Sequence, residues 1–129
     1  MNSSLPWAQI LAVAGGAAAG ALLRWRAGLW LNAGWSGFPL GTLAVNGLGG
    51  LLVGVALAWF ERSPNELLRL LVVTGFLGGL TTFSAFSVES LVLLQRGLWP
   101  MAIVHTGAHV LGALGCAAIG FWVAQQFLV

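Results

Sequence analysis

Long apolar stretches separated by short polar connectors dominate the chain. The first stretch covers residues 7–31, and similar stretches cover 40–60, 67–94 and 101–128. A membrane-spanning helix needs about 20 apolar residues. The pattern therefore predicts an all-α integral membrane protein with four transmembrane helices of these approximate bounds, in a single domain that covers residues 1–129.

The composition supports a membrane protein and excludes a soluble one. Hydrophobic residues make up 59% of the chain and charged residues only 6%, whereas about a quarter of the residues in a soluble domain are charged. The net charge is only +2, and no basic cluster is present that could hold a phosphate backbone. We therefore expect the lipid bilayer, and not nucleic acid, to surround this chain.

The arginines give little preference for one orientation in the membrane. Four spans place both chain ends on one side, together with Arg62 and Arg69, while Arg24, Arg26 and Arg96 lie on the other side. Three positive residues against two is a weak bias for the rule that positive loops stay inside the cell. The balance predicts a dual-topology protein in which two oppositely oriented copies form an antiparallel homodimer. Such a dimer would have the inverted symmetry that larger transporters build from two repeats within one chain.

The middle of the third span is a poor helix interior. Adjacent glycines are followed by two threonines in residues 75–87, and glycine destabilises a helix interior. A break there would free carbonyl groups that protein, water or an ion must satisfy. A continuous helix whose glycines pack against a neighbour is the alternative.

Several polar or aromatic side chains within the spans are candidates for an anion path. Asn46 offers two amide N–H donors, although interhelical hydrogen bonding would explain it equally well. Phe83 and Phe86 have electropositive ring edges, but phenylalanine in a membrane helix ordinarily packs. His105 and His109 share one helix face, where they would donate to an anion, pair with other helices or bind a metal. No third metal ligand is obvious from the sequence.

Together these residues resemble the Fluc (CrcB) family of fluoride channels, and the resemblance covers essentially the whole chain. It rests on three segments: GALLRW at 20–25, GTLAVN at 41–46 and GFLGGLTTFSAFSVE at 75–89. The resemblance implies a homodimer with two fluoride pathways that Asn46, Phe83 and Phe86 touch. It also implies a central structural sodium ion, not itself transported, held by the backbone carbonyls of Gly78 and Thr81.

The same resemblance implies a polar track and marks one departure. Four residues match a polar track beside the phenylalanines, and Arg24 matches a basic residue near a pore vestibule. The four are Thr42, Thr82, Ser84 and Glu89. Some family members have tyrosine or serine where this chain has His105 and His109, so the fourth span is the part whose residue roles are least defined.

The predicted function is passive fluoride export through the inner membrane of a bacterial cell. The alternative is a proton-coupled exporter of the small multidrug-resistance type, which is also a four-span dual-topology dimer. That mechanism needs a carboxylate deep in the first span, where this chain has none. A non-transporting scaffold does not explain the polar residues at mid-membrane. We do not expect an enzyme, because the sequence shows no evident arrangement of nucleophile and base.

Overall fold

The computed structural model describes residues 6–33 and 38–127, which are almost entirely helical. Helix α1 is Trp7–Leu31, α2 is Leu40–Arg62, α4 is Phe83–Gln95 and α5 is Trp99–Phe127. Helix α3 covers residues 66–80 and precedes α4 in the third span, Glu66–Gln95. The four spans are all long and apolar enough to cross a membrane.

The helix ends lie close to the sequence-predicted bounds and follow local chemistry. Helices α1 and α2 start directly after Pro6 and Pro39, where the fixed φ of proline suits a helix start. The side chain of Asn65 caps α3 by accepting a hydrogen bond from the backbone N–H of Leu68 at 3.0 Å. Helix α5 begins two residues before the predicted position 101, and the predicted end at 128 lies outside the described residues.

The third span is the least regular of the four. Leu70–Leu77 forms a π-helix within α3, a wider winding that is rare and often marks functional positions. The α3 helix then ends at Leu80, and Thr81 and Thr82 have extended backbone dihedrals. The Thr82 hydroxyl caps α4 by accepting from the Ala85 N–H at 3.1 Å. The third span therefore consists of two helices separated by two extended residues.

Helix α1 packs against α3 with little side chain between the backbones. A β-carbon on Gly20 would meet the carbonyl oxygen of Phe76, and one on Gly16 would meet that of Leu71. On the facing helix, a β-carbon on Gly79 would meet the carbonyl oxygen of Ala17. Glycine at these positions allows the backbones to approach closely.

Helices α2 and α5 form the second close pair. A β-carbon on Gly54 would meet the carbonyl oxygen of Ala117, and one on Gly120 would meet that of Leu51. Three glycine pairs four residues apart thus pack against the backbone of a neighbouring helix in the same chain: Gly16 and Gly20, Gly50 and Gly54, and Gly75 and Gly79. A core of Val45, Leu77 and Leu80 fills the space between the two helix pairs. The outer surface is rich in large apolar side chains, as a lipid-facing surface requires.

Candidate functional site

A groove of about 480 Å³ lies where α2 and α5 face the end of α3 and the start of α4. Its walls are mainly small or apolar residues of α2 and α5. Its polar wall consists of Asn46, Thr81, Thr82 and His109, with Phe83 and Phe86 beside them. The two threonines are the extended residues between α3 and α4, so the groove borders the middle of the third span.

Asn46 and Thr82 form a two-point hydrogen-bonded pair. The backbone N–H of Thr82 donates to Asn46 Oδ1 at 2.8 Å, and Asn46 Nδ2 donates to the Thr82 carbonyl at 3.0 Å. Asn46 Nδ2 also lies 3.1 Å from His109 Nδ1. Both amide N–H groups are therefore used within the chain, which differs from the sequence-based expectation that they are open to an anion.

Glu89 and His105 are the centre of a second hydrogen-bonded group. His105 Nε2 lies 3.2 Å from Glu89 Oε2, and His105 Nδ1 lies 2.9 Å from the hydroxyl of Ser90. The Thr42 hydroxyl donates to the other carboxylate oxygen of Glu89. His105 is completely buried, and Glu89 is 20% exposed. These contacts join α2, α4 and α5 through polar side chains.

Aromatic rings connect the two groups. Phe86 is buried and lies against both histidines, with ring centroids 5.7 Å from His105 and 4.9 Å from His109. The two imidazole centroids are 4.5 Å apart. Phe83 touches Phe86 at 5.3 Å but is 77% exposed. The Phe86 ring is thus enclosed within the chain, and the Phe83 ring projects from its surface.

Two arrangements here were not foreseen in the sequence. Glu89, His105 and His109 each place one possible ligand atom within 4.8 Å of the others, which supplies the third metal ligand that the sequence did not reveal. Ser90, His105 and Glu89 are bonded in the order hydroxyl, imidazole, carboxylate, so a nucleophile and a base do lie together. His105 lies 15 residues after Ser90 and 16 residues after Glu89 in the sequence. The packing of α4 on α5 brings the three side chains together.

The remaining predicted residues lie around the end of α3. Arg24 Nε donates to the carbonyl of Gly79 at 3.1 Å, so this guanidinium reaches the backbone of the third span. The hydroxyls of Ser84 and Thr82 are 3.2 Å apart. Eight of the predicted residues thus form one contiguous set, and Phe83 contacts it at its exposed edge. The eight are Thr42, Asn46, Thr82, Ser84, Phe86, Glu89, His105 and His109.

The carbonyls of Gly78 and Thr81 lack their usual helical donors. The N–H of Thr82 would donate to Gly78 in a continuous helix but donates to Asn46 instead. The N–H of Ala85 would donate to Thr81 but donates to the Thr82 hydroxyl. Two carbonyl oxygens are therefore left as hard ligands of the kind that alkali and alkaline-earth cations prefer, which fits the predicted sodium site.

Comparison with known proteins identifies the family. The family described as CrcB-like protein, Camphor Resistance (CrcB), matches residues 11–121. The chain belongs to this family. The family predicted from the three sequence segments is thereby confirmed. With four apolar spans, this CrcB-family chain is a multi-pass membrane protein.

Three relatives have the same name. The fluoride-specific ion channel FluC of Aromatoleum aromaticum is 55% identical over 113 residues, 86% of each chain. That of Thiobacillus denitrificans is 50% identical over 114 residues, 87% of this chain and 92% of the relative. That of Chromobacterium violaceum is 51% identical over 120 residues, 90% of this chain and 95% of the relative.

Proposed function

We propose that this protein is a fluoride-specific channel that lets fluoride leave the bacterial cell passively across the inner membrane. The observation that carries the proposal is the near-full-length identity of about 50% to proteins named fluoride-specific ion channels. The site adds support, because a contiguous set of small polar groups and aromatic rings borders a groove within the spans. Hydrogen fluoride enters cells as a neutral acid and dissociates inside, and an outward leak of the anion prevents its accumulation.

The anion would exchange its hydration shell for donors and ring edges along this set. Phe83 and Phe86 can turn electropositive edges toward an anion. The hydroxyls of Thr82 and Ser84 and the imidazole of His109 supply O–H and N–H groups. Thr42 and His105 border the same path, and Glu89 holds both in place through hydrogen bonds. Arg24 adds positive charge on the α1 side of the third span. Hydrogen-bond donors distributed in this way suit an anion that moves from one donor to the next.

The working unit in this proposal is an antiparallel homodimer of oppositely oriented copies. The three-to-two arginine balance supports it, as does the exposure of Phe83 beside a groove that has one polar wall. Polar side chains that face lipid are costly, and a second copy would cover them. Two or three lysines added to loop 61–66 should fix one orientation and reduce flux, and an oppositely biased copy should restore it. Tagged chain ends found on only one side of the membrane would contradict the dimer.

A structural sodium ion at the dimer centre belongs to the same proposal. The free carbonyls of Gly78 and Thr81, two from each copy, would hold it, and the ion would neutralise backbone dipoles where the third span is interrupted. Replacing sodium by a much larger cation during purification should lower dimer stability or flux. Full stability and flux in a sodium-free preparation would contradict this site.

A fluoride-electrode efflux assay tests the main proposal and separates it from the exporter. Purified protein in liposomes should release fluoride rapidly with no ATP and no imposed proton gradient. A proton-coupled exporter would require the gradient and a mid-membrane carboxylate in its first span, and helix α1 contains no acidic residue. Release that depends on a proton gradient, or no release, would overturn the channel.

A further inference from the structure

The orientation of the Asn46 amide is fixed by backbone atoms. A side-chain amide can usually be turned over without changing its shape, so its nitrogen and oxygen must be assigned from its partners. Here one partner is the Thr82 N–H, which can only donate, and the other is the Thr82 carbonyl, which can only accept. Asn46 Nδ2 is therefore the atom that faces His109 Nδ1 at 3.1 Å.

This orientation determines where the proton of His109 lies. An amide nitrogen has no acceptor capacity, so His109 Nδ1 must accept the hydrogen bond from Asn46. A neutral imidazole has one N–H, and the other ring nitrogen must then be protonated. His109 Nε2 is accordingly an N–H donor. Among the described residues no acceptor reaches this atom, although His109 is only 4% exposed.

A buried donor without a partner costs roughly 1–3 kcal/mol, so its presence needs an explanation. The His109 ring borders the groove and lies against the Phe86 ring. The centroids of the His105 and His109 rings are 4.5 Å apart. A metal ion does not explain the donor, because ligation at Nε2 would move the proton to Nδ1 and place it against the Asn46 N–H. A small acceptor such as a halide anion fits the free N–H.

We infer that the Nε2–H of His109 is a fluoride-binding donor of the pathway, and that Asn46 is a positioning residue that sets the tautomer of His109. This rests on the proposed channel function. Asn46 acts on the anion through the imidazole because its own N–H groups are taken by Thr82 and His109. The ring nitrogen of His109 that carries the free N–H is therefore determined by the hydrogen bonds that Asn46 of α2 makes with His109 of α5 and with the backbone of Thr82.

Nitrogen NMR of the histidines tests the tautomer without measuring flux. The chain has only two histidines, so protein labelled with ¹⁵N-histidine in lipid gives two imidazole spin systems, which a His105→Gln variant assigns. Above neutral pH, His109 should show a protonated Nε2 and an unprotonated Nδ1. Asn46→Asp should reverse this, because a carboxylate accepts where the amide donates. Fluoride, but not chloride at equal concentration, should shift the Nε2 signal.

Flux through His109 variants provides the second measurement. His109→Gln keeps an amide N–H near the position of Nε2 and should conduct better than His109→Leu. Loss of one hydrogen bond to a charged group should lower flux by about tenfold or more in His109→Leu. A protonated Nδ1 in wild type, an Nε2 signal unmoved by fluoride, or equal flux in the two variants would overturn this role. Absence of fluoride flux in wild type would instead overturn the channel, whatever the tautomer.

Discussion

The two halves of the third span are held by different kinds of contact. Helix α3 meets α1 through glycines, so that carbonyl oxygens of one helix lie against the α-carbons of the other. Helix α4 meets α2 and α5 through side-chain hydrogen bonds from Glu89 and Ser90 and through the Phe86 ring. Thr81 and Thr82, with extended backbone, divide the two halves.

The α1–α3 contact supports the site, whereas the α4 contacts supply its chemical groups. Close backbone packing leaves no room for a side chain to move, so α3 can hold free carbonyls at a fixed depth. The α4 contacts consist of groups that can donate, accept or titrate, which an ion path requires. Changes at the α1–α3 contact should therefore affect assembly, and changes at the α4 contacts should affect flux in protein that is still assembled.

The largest expected effect comes from Gly20→Leu at the α1–α3 contact. A β-carbon there meets the Phe76 carbonyl oxygen, and the next atoms are also backbone. Overpacking costs about 1–3 kcal/mol when neighbours can shift, and we expect more where the obstacle is a helix backbone. Size-exclusion chromatography in detergent should show little or no monodisperse protein.

Gly15→Leu is the matched control on the same helix, because nothing in the described chain lies within 4 Å of a β-carbon at Gly15. This variant should purify like wild type. If both variants purify equally well, the close contact between α1 and α3 is not required for assembly, and the contrast between the two halves of the span fails.

Phe86→Ile should lower fluoride flux more than tenfold while the protein still purifies intact. Isoleucine keeps much of the bulk but removes the ring that lies against both histidines and supplies the electropositive edge. Phe83→Ile should also lower flux, although the Phe83 ring is largely exposed within one chain. Unchanged flux in both variants, measured by fluoride electrode in liposomes, would remove the phenylalanines from the path.

Much of this arrangement could be predicted from local sequence, and the rest depended on helix packing. The lengths of the apolar stretches predict the four spans, because span length is a local property of the sequence. The π-helix at Leu70–Leu77 has no simple residue signature. The contacts of Asn46 with Thr82 and His109 join residues 36 and 63 positions apart. A sequence shows that these side chains are polar, but not which of their donors are already used.

Thr42→Val should have an intermediate effect. Valine matches threonine in shape but leaves one oxygen of Glu89 without its hydroxyl donor. An unsatisfied acceptor costs up to about 1–3 kcal/mol when it is buried and less when it is partly exposed, as Glu89 is. The loss should lower the thermal midpoint of the purified protein and reduce flux severalfold. Thr42→Ser keeps the hydroxyl and is the control. Equal midpoints and equal flux for Val and Ser would show that the Thr42–Glu89 contact is incidental.

The smallest expected effect is a dependence of flux on pH, and it belongs to His109. Protonation would add a hydrogen on Nδ1, opposite the Asn46 N–H, and would place a positive charge beside the groove. The first change breaks the Asn46 contact, and the second holds the anion more tightly, so flux should fall once the pH is low enough to protonate His109. Leak measured in protein-free liposomes at each pH corrects for hydrogen fluoride crossing the lipid.

The His109→Ser variant should conduct fluoride with a flatter pH profile. His105→Ser should change the profile less, because Ser90 and Glu89 already engage both of its ring nitrogens. Identical profiles for wild type and both variants would mean that the two imidazoles only pack and pair, and that the polar side of α4 and α5 does not titrate during permeation.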